Sequence, residues 1–64
     1  MNKIPRFMKE YANYNIRTIK QNDLIEDSLK SEAIERINKS VALYEKGRMT
    51  IDETMRSIGN CFVF

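Results

Sequence analysis

The chain has 64 residues, a formal net charge of +2, one cysteine and no histidine. A chain of this length buries only about 60% of the surface that it exposes when unfolded, so we expect one domain of marginal stability. The lone cysteine excludes an intrachain disulfide, and the lack of histidine excludes a zinc site of the usual Cys/His type. Self-association, or docking on a larger partner, is the remaining way to add stability.

The first predicted helix covers residues 5–21. Pro5 suits the first turn of a helix, because its missing N–H has no intrahelical partner there. Apolar residues then recur at helical spacing and cover about 200° of the helix surface, which predicts contacts on two sides. The stripe consists of Met8, Ala12, Ile16 and Ile19, with Ile4, Tyr11, Phe7 and Tyr14 beside it.

The second predicted helix covers residues 24–46, and its end is better defined than its start. Gly47 ends it as a left-handed residue, and Lys46 suits the negative end of the helix dipole. If the helix covers this full range, Asp23 is its N-cap. If a loop precedes a shorter helix, the N-cap is Asp27, Ser28 or Ser31. The predicted buried face consists of Leu29, Ala33, Ile37, Val41 and Tyr44.

The third predicted helix covers residues 51–60. Thr50 and Glu53 form a capping box, in which each side chain bonds the backbone N–H of the other residue. Apolar residues then line one face at spacings of three and four, namely Ile51, Met55, Ile58 and Phe62. The second and third helices should therefore form a hairpin around Gly47.

These elements predict an all-α protein in one domain covering residues 1–64. The architecture is either a small three-helix bundle or one helix packed on a helical hairpin, and we expect homo-oligomers because the core is so small. The predicted core consists of Ile16, Ile19, Leu29, Ile37, Val41, Met55, Ile58 and Phe62.

The sequence CFVF at residues 61–64 allows three interpretations. Core packing is favoured, because Phe62 continues the apolar stripe of the third helix. A docking peptide whose carboxylate enters a partner's backbone nest is the second interpretation. Prenylation of Cys61 in a C-a-a-X box is the third, and the lack of a preceding polybasic run disfavours it.

The residue types that carry catalysis are missing or have another explanation. There is no histidine for base catalysis and no G-x-x-x-x-G-K phosphate loop. Asp52 and Glu53 suit a helix start, and Cys61 has no strong activating neighbour. We therefore expect a protein that is not an enzyme, with no catalytic residues, no cofactor and no metal. Neither a spanning helix nor a signal peptide is predicted, so we expect a cytoplasmic protein without membrane contact.

Charge is unevenly distributed along the chain. Residues 1–22 carry five cations and one acid, whereas residues 23–36 carry five acids and two cations. The two segments either lie against each other or form two solvated faces, and the sequence leaves both open. Within the first helix the basic side chains, with one amide among them, gather within about 80°. They are Arg6, Lys9, Asn13, Arg17 and Lys20.

This basic face has three interpretations: an ordinary solvated face, a nucleic-acid contact, or a contact with an acidic protein surface. Aromatic and arginine side chains dominate the energetics of protein interfaces. We therefore predict a partner-binding surface in which cations of the basic face join the flanking aromatic residues. Its residues are Arg6, Phe7, Tyr11, Tyr14, Arg17 and Lys20.

Two stretches carry a resemblance to known classes of protein. The segment ALYEKGRMTIDETMRSI resembles a short helical-hairpin module found at protein C-termini. Together, IPRFMKEYANYNIRTIKQNDL and ERINKSVALYEKGRMTIDETMRSI resemble small uncharacterised helical accessory proteins of Gram-positive phages and mobile elements. The resemblance implies binding to a host protein in the bacterial cytoplasm, with inhibition or modulation of a host machine such as a restriction or CRISPR defence. A small nucleic-acid-binding regulator is the alternative.

Overall fold

The fold consists of three α-helices that each contact the other two. The computed structural model describes residues 2–60, with α1 at Arg6–Gln21, α2 at Asp27–Glu45 and α3 at Ile51–Asn60. These residues contain no strand. The predicted all-α fold of three helices is therefore confirmed for this part of the chain. The helices run antiparallel in sequence order, so α3 returns along α2 beside α1.

The start of α2 differs from its predicted position at residue 24. The Asn22 side-chain oxygen accepts a hydrogen bond from the Leu24 N–H at 2.9 Å, and the Ile25 N–H donates to the Asn22 carbonyl. These local bonds hold the chain in a turn instead of a helix. Glu26, in an extended conformation, is the residue before the helix. None of the four predicted caps occupies that position.

The other end of α2 and the start of α3 match their predicted local chemistry. Gly47 has a φ of 79°, and the Arg48 N–H donates to the Leu43 carbonyl at 2.9 Å, as in a Schellman motif. The Thr50 N–H donates to the Glu53 carboxylate, and the Glu53 N–H donates to the Thr50 hydroxyl oxygen, both at 3.1 Å. The hairpin around Gly47 therefore has a defined termination on each side.

Much of the predicted core is buried between the helices. Ile19, Ile37 and Ile58 are almost fully buried, one from each helix, and Met8 joins them. Three other predicted core residues are half-buried and pack against this cluster. They are Ile16, Val41 and Met55. The predicted placement of Phe62 in the core, like the three interpretations of residues 61–64, lies outside the described residues.

Leu29 was predicted to lie in the core, and this is wrong: its exposed fraction is 42%. Leu29 lies about 80° round α2 from Ile37, on the side that carries Ser40 and faces α3. The ten residues of α3 extend only about 15 Å, about half the length of α2. Because α3 packs on the C-terminal half of α2, its described residues stop short of Leu29.

The buried face of α3 is also rotated from the predicted apolar stripe. Ile51 is 40% exposed, whereas Thr54 is fully buried. The Thr54 hydroxyl donates to the Thr50 carbonyl at 2.8 Å, so the side chain presents its methyl group to the core at no cost in unpaired polar atoms. Ser40 and Ser57 share a hydrogen bond of 2.7 Å between α2 and α3. The contact between these helices is therefore partly polar.

The segment before α1 is attached to the end of α2, which the sequence analysis did not anticipate. The Asn2 backbone N–H donates to the Glu45 carbonyl at 2.8 Å, and its side-chain amide donates to the Tyr44 carbonyl at 3.2 Å. These bonds satisfy carbonyls that a helix end leaves without intrahelical partners. They also fix the relative level of α1 and α2.

Candidate partner-binding surface

The six predicted partner-binding residues all lie within α1, but the structure separates them into two groups around the helix. At about 100° per residue, Phe7, Tyr11 and Tyr14 lie within about 60° of one another on the side facing α3. We call this group the aromatic edge. The other three lie within about 60° on the solvent side, and we call them the cationic face: Arg6, Arg17 and Lys20. Viewed along the helix axis, the centres of the two groups are about 120° apart.

The aromatic edge has two exposed members and one packed member. The exposed fractions of Phe7 and Tyr14 are 52% and 65%. Tyr11 was expected to be exposed, but it is half-buried and packs against the core. Its hydroxyl oxygen lies against Gly59, where an added Cβ would be only 2.9 Å away. Tyr11 therefore joins α1 to α3, and the accessible aromatic surface consists of Phe7 and Tyr14.

The contact between Tyr11 and Gly59 gives a testable coupling. In a helix, Gly→Ala normally stabilises by about 0.5–1 kcal/mol, but here the new methyl group meets the Tyr11 hydroxyl. We expect Gly59→Ala to be neutral or destabilising in the wild type and stabilising in a Tyr11→Phe background. Urea unfolding of the four proteins should give a coupling free energy of about 1 kcal/mol. Additive effects of the two substitutions would contradict this contact.

The cationic face is only partly neutralised. Arg6 Nε lies 3.0 Å from Glu10 Oε1, one turn along the same helix. Within residues 2–60, Arg17 and Lys20 have no ion pair within 4 Å. Both side chains are exposed. The face therefore presents two uncompensated positive charges to an approaching partner.

The basic first segment and the acidic second segment do not exchange salt bridges among the described residues. The two salt bridges there join residues four apart within one helix, Arg6 with Glu10 and Glu32 with Arg36. The segments are linked differently, because Lys30 Nζ donates to the Lys20 carbonyl at 3.1 Å. This bond places a cation at the negative end of α1. Of the two interpretations left open, solvated faces fit the described residues.

A groove between α1 and α2 runs along the side of α1 that is opposite the aromatic edge. One part has a volume of about 320 Å³, and its floor is formed by Ile4, Ala12, Ile16 and Val41. An adjoining depression along α1 shares Asn13 and Ile16 with it and is also lined by Arg17 and Lys20. This groove was not predicted from the sequence. Its only signal was the width of the apolar stripe on the first helix, which predicted contacts on two sides.

A second groove, between α2 and α3, is polar. Its volume is about 380 Å³, and it is lined in part by Arg36, Arg56 and Glu53. The Glu53 carboxylate already accepts the Thr50 N–H, and Arg36 is paired within its own helix. The described residues contain no group of three or more His, Cys, Asp or Glu side chains placed to hold a metal ion.

Taken together, the fold and this surface define a small all-helical protein with exposed aromatic and cationic side chains on its first helix. No helix among residues 2–60 combines the length and the hydropathy needed to cross a bilayer. Comparison with known proteins found no matching family model, no similar curated protein and no similar solved structure.

Proposed function

We propose that this chain is a small, non-enzymatic protein-binding protein that contacts its partner through the outer side of α1. The observation that carries the proposal is the exposure of Phe7 and Tyr14, at 52% and 65%. They lie seven residues apart, so both point to the same side of the helix. Paired aromatic side chains of this kind supply the large buried area on which interface affinity depends.

One charge, that of Arg17, lies next to the aromatic edge and supports the same surface. Arg17 is one turn from Tyr14, is exposed, and has no ion pair among the described residues. An arginine free to form bidentate bonds favours a partner that presents carboxylates beside an apolar pocket. The proposed partner is therefore a protein with an acidic rim around an apolar depression.

The biological role that we propose is that of a phage or mobile-element accessory factor in the bacterial cytoplasm. Resemblance to small accessory proteins of Gram-positive phages supports this role, in which the protein inhibits or modulates a host protein such as a component of a CRISPR defence. A small protein can do so without catalysis, by occupying a surface that the host machine needs.

Affinity capture from a nuclease-treated Gram-positive lysate tests this function. We expect the wild type to retain one stoichiometric host protein, and Tyr14→Ala and Arg17→Glu each to reduce its recovery at least about tenfold, as for hot-spot residues. Tyr14 is chosen over Tyr11, whose packing against Gly59 would confuse binding with folding. The matched controls are Leu24→Ala, in the turn after α1, and Lys39→Glu, on α2, both at exposed sites outside the proposed surface. Equal recovery with all four variants would contradict the proposed surface.

A nucleic-acid-binding regulator is the second candidate function. Arg17 and Lys20 form no ion pair within residues 2–60 and favour it, because such side chains neutralise phosphates. In that case the untreated lysate would yield nucleic acid and the nuclease-treated lysate no stoichiometric protein. Binding would also weaken steeply between about 50 and 200 mM salt.

A further inference from the structure

The α1–α2 helix pair has two grooves, and only one is filled by the described residues. On one side, α3 covers the pair through Thr54 and Ile58, both fully buried. On the other side lies the open groove, whose floor residues Ile16 and Val41 are only half-buried. A helix pair with apolar side chains in both grooves is typical of a bundle that has a further layer.

We propose that a second copy of this chain covers the open groove, so that the α1–α2 pairs of two copies stack as a four-helix layer. The proposed dimer has a two-fold axis parallel to the helices. Each α1 then packs antiparallel on α2 of the other copy, and residues at the same level along the axis meet.

The charges along the groove select this arrangement. Lys20 follows the floor residue Ile16 by one turn on α1, and Glu45 follows Val41 by one turn on α2. The α1 side of the groove therefore carries a cation, and the α2 side carries an acid. Asp27 lies at the same angle on α2 as Glu45, at the opposite end of the helix.

The level of each charge follows from the bonds that join α1 to α2. Lys30 bonds the Lys20 carbonyl, and Asn2 bonds the Glu45 carbonyl. Asp27, one turn before Lys30, therefore lies close to the level of Lys20. In the proposed dimer, Lys20 of each copy faces Asp27 of the other. Neither side chain forms an ion pair within residues 2–60 of a single copy.

The alternative two-fold arrangement brings like charges together. With the axis perpendicular to the helices, α1 would pack on α1 of the other copy, around a midpoint near residue 13. Lys9 would then face Arg17 of the other copy, and Asp27 would face Glu45. Like charges placed opposite each other oppose association, so this packing is disfavoured.

The dimer leaves the aromatic edge of the proposed partner-binding surface free. Phe7 and Tyr14 lie about 120–140° round α1 from Lys20 and stay uncovered when the groove is filled. Self-association and partner binding therefore share Lys20 of the cationic face, whereas the aromatic edge serves partner binding alone. Failure of one does not imply failure of the other.

Sedimentation equilibrium of charge-exchange variants tests the dimer. We expect the wild type to dimerise, and Lys20→Glu and Asp27→Lys each to raise the dimer dissociation constant about tenfold, since each change creates two repulsive contacts. The double variant Lys20→Glu/Asp27→Lys should restore dissociation to within about threefold of the wild type. Lys39→Glu, on the opposite side of α2, is the matched control and should leave dimerisation unchanged.

Helicity measured by circular dichroism establishes that each variant is folded, because both substitutions also act on a helix end. The effects on the two helix ends add when the substitutions are combined. They therefore cannot explain a recovery of dimerisation in the double variant. A wild type that stays monomeric up to about 1 mM would overturn the proposal. So would a double variant that dimerises no better than the single variants, or a Lys39→Glu variant that loses dimerisation equally.

Discussion

Ile37→Ala is expected to cause the largest loss of stability of any single truncation discussed, about 2–5 kcal/mol. Ile37 lies in the middle of α2 with no exposed surface, and it belongs to the core cluster formed by all three helices. Truncating a fully buried isoleucine costs about 2–5 kcal/mol. A chain of 64 residues has a total stability of about 3–10 kcal/mol, so this loss removes much of it. Urea unfolding followed by circular dichroism measures the change.

Leu29→Ala on the same helix is the matched control. Because Leu29 is 42% exposed, its truncation removes less buried area and leaves no closed cavity. We expect a loss of about 1 kcal/mol, well below that of Ile37→Ala. Equal losses at the two positions would show that Leu29 belongs to the core, as the sequence pattern predicted, and would contradict the packing described here.

Asn15→Leu is expected to stabilise the protein by about 1–3 kcal/mol, which is the usual cost of an unpaired buried polar group. Asn15 is 1% exposed, and its side-chain amide donates to the Tyr11 carbonyl at 2.7 Å. Within residues 2–60, however, its side-chain oxygen is buried without a hydrogen-bond partner. Leucine has the same number of side-chain heavy atoms and the same branching at Cγ, and it removes this unpaired acceptor. Thermal unfolding should show a higher midpoint.

Two further variants make the interpretation of Asn15 specific. Glu35→Leu introduces leucine at an exposed position of α2 outside the groove and should alter stability by less than about 0.5 kcal/mol. Asn15→Asp places a carboxylate in the core and should destabilise strongly. A lower midpoint for Asn15→Leu would contradict the account, since it would mean that the buried oxygen makes a bond that leucine loses.

The features that were predictable from the sequence depend only on residues that are close together along the chain. The capping box at Thr50 and the glycine end of α2 each involve only a few consecutive positions, and both appear in the structure. The start of α2 was not predictable in the same way. It depends on competition between the Asn22 turn and several caps whose free energies are similar.

Features that depend on the length and rotation of α3 were not predictable. Leu29 has the same helical spacing as the buried residues, but it lies beyond the part of α2 that α3 covers. Thr54 replaces Ile51 at the buried face because its hydroxyl finds a local acceptor. Apolar periodicity identifies the face of a helix, whereas burial depends on what packs against each turn of it.

The candidate surface was predictable in composition but not in arrangement. The helical spacing placed all six residues on α1, yet it did not show that Tyr11 packs against Gly59 or that Phe7 and Tyr14 lie apart from the cations. The open groove beside α2 depends on two helices at once. Its floor residues Ile4 and Val41 are 37 positions apart in the sequence.

Photocrosslinking from position 14 most directly tests the proposal that a host protein binds to the outer side of α1. Benzoylphenylalanine replaces Tyr14 in one protein and Lys39 in a control, and both are expressed in a Gram-positive host before irradiation. We predict one host protein crosslinked from position 14 and absent from position 39. Crosslinks to nucleic acid alone, or the same proteins from both positions, would contradict the claim.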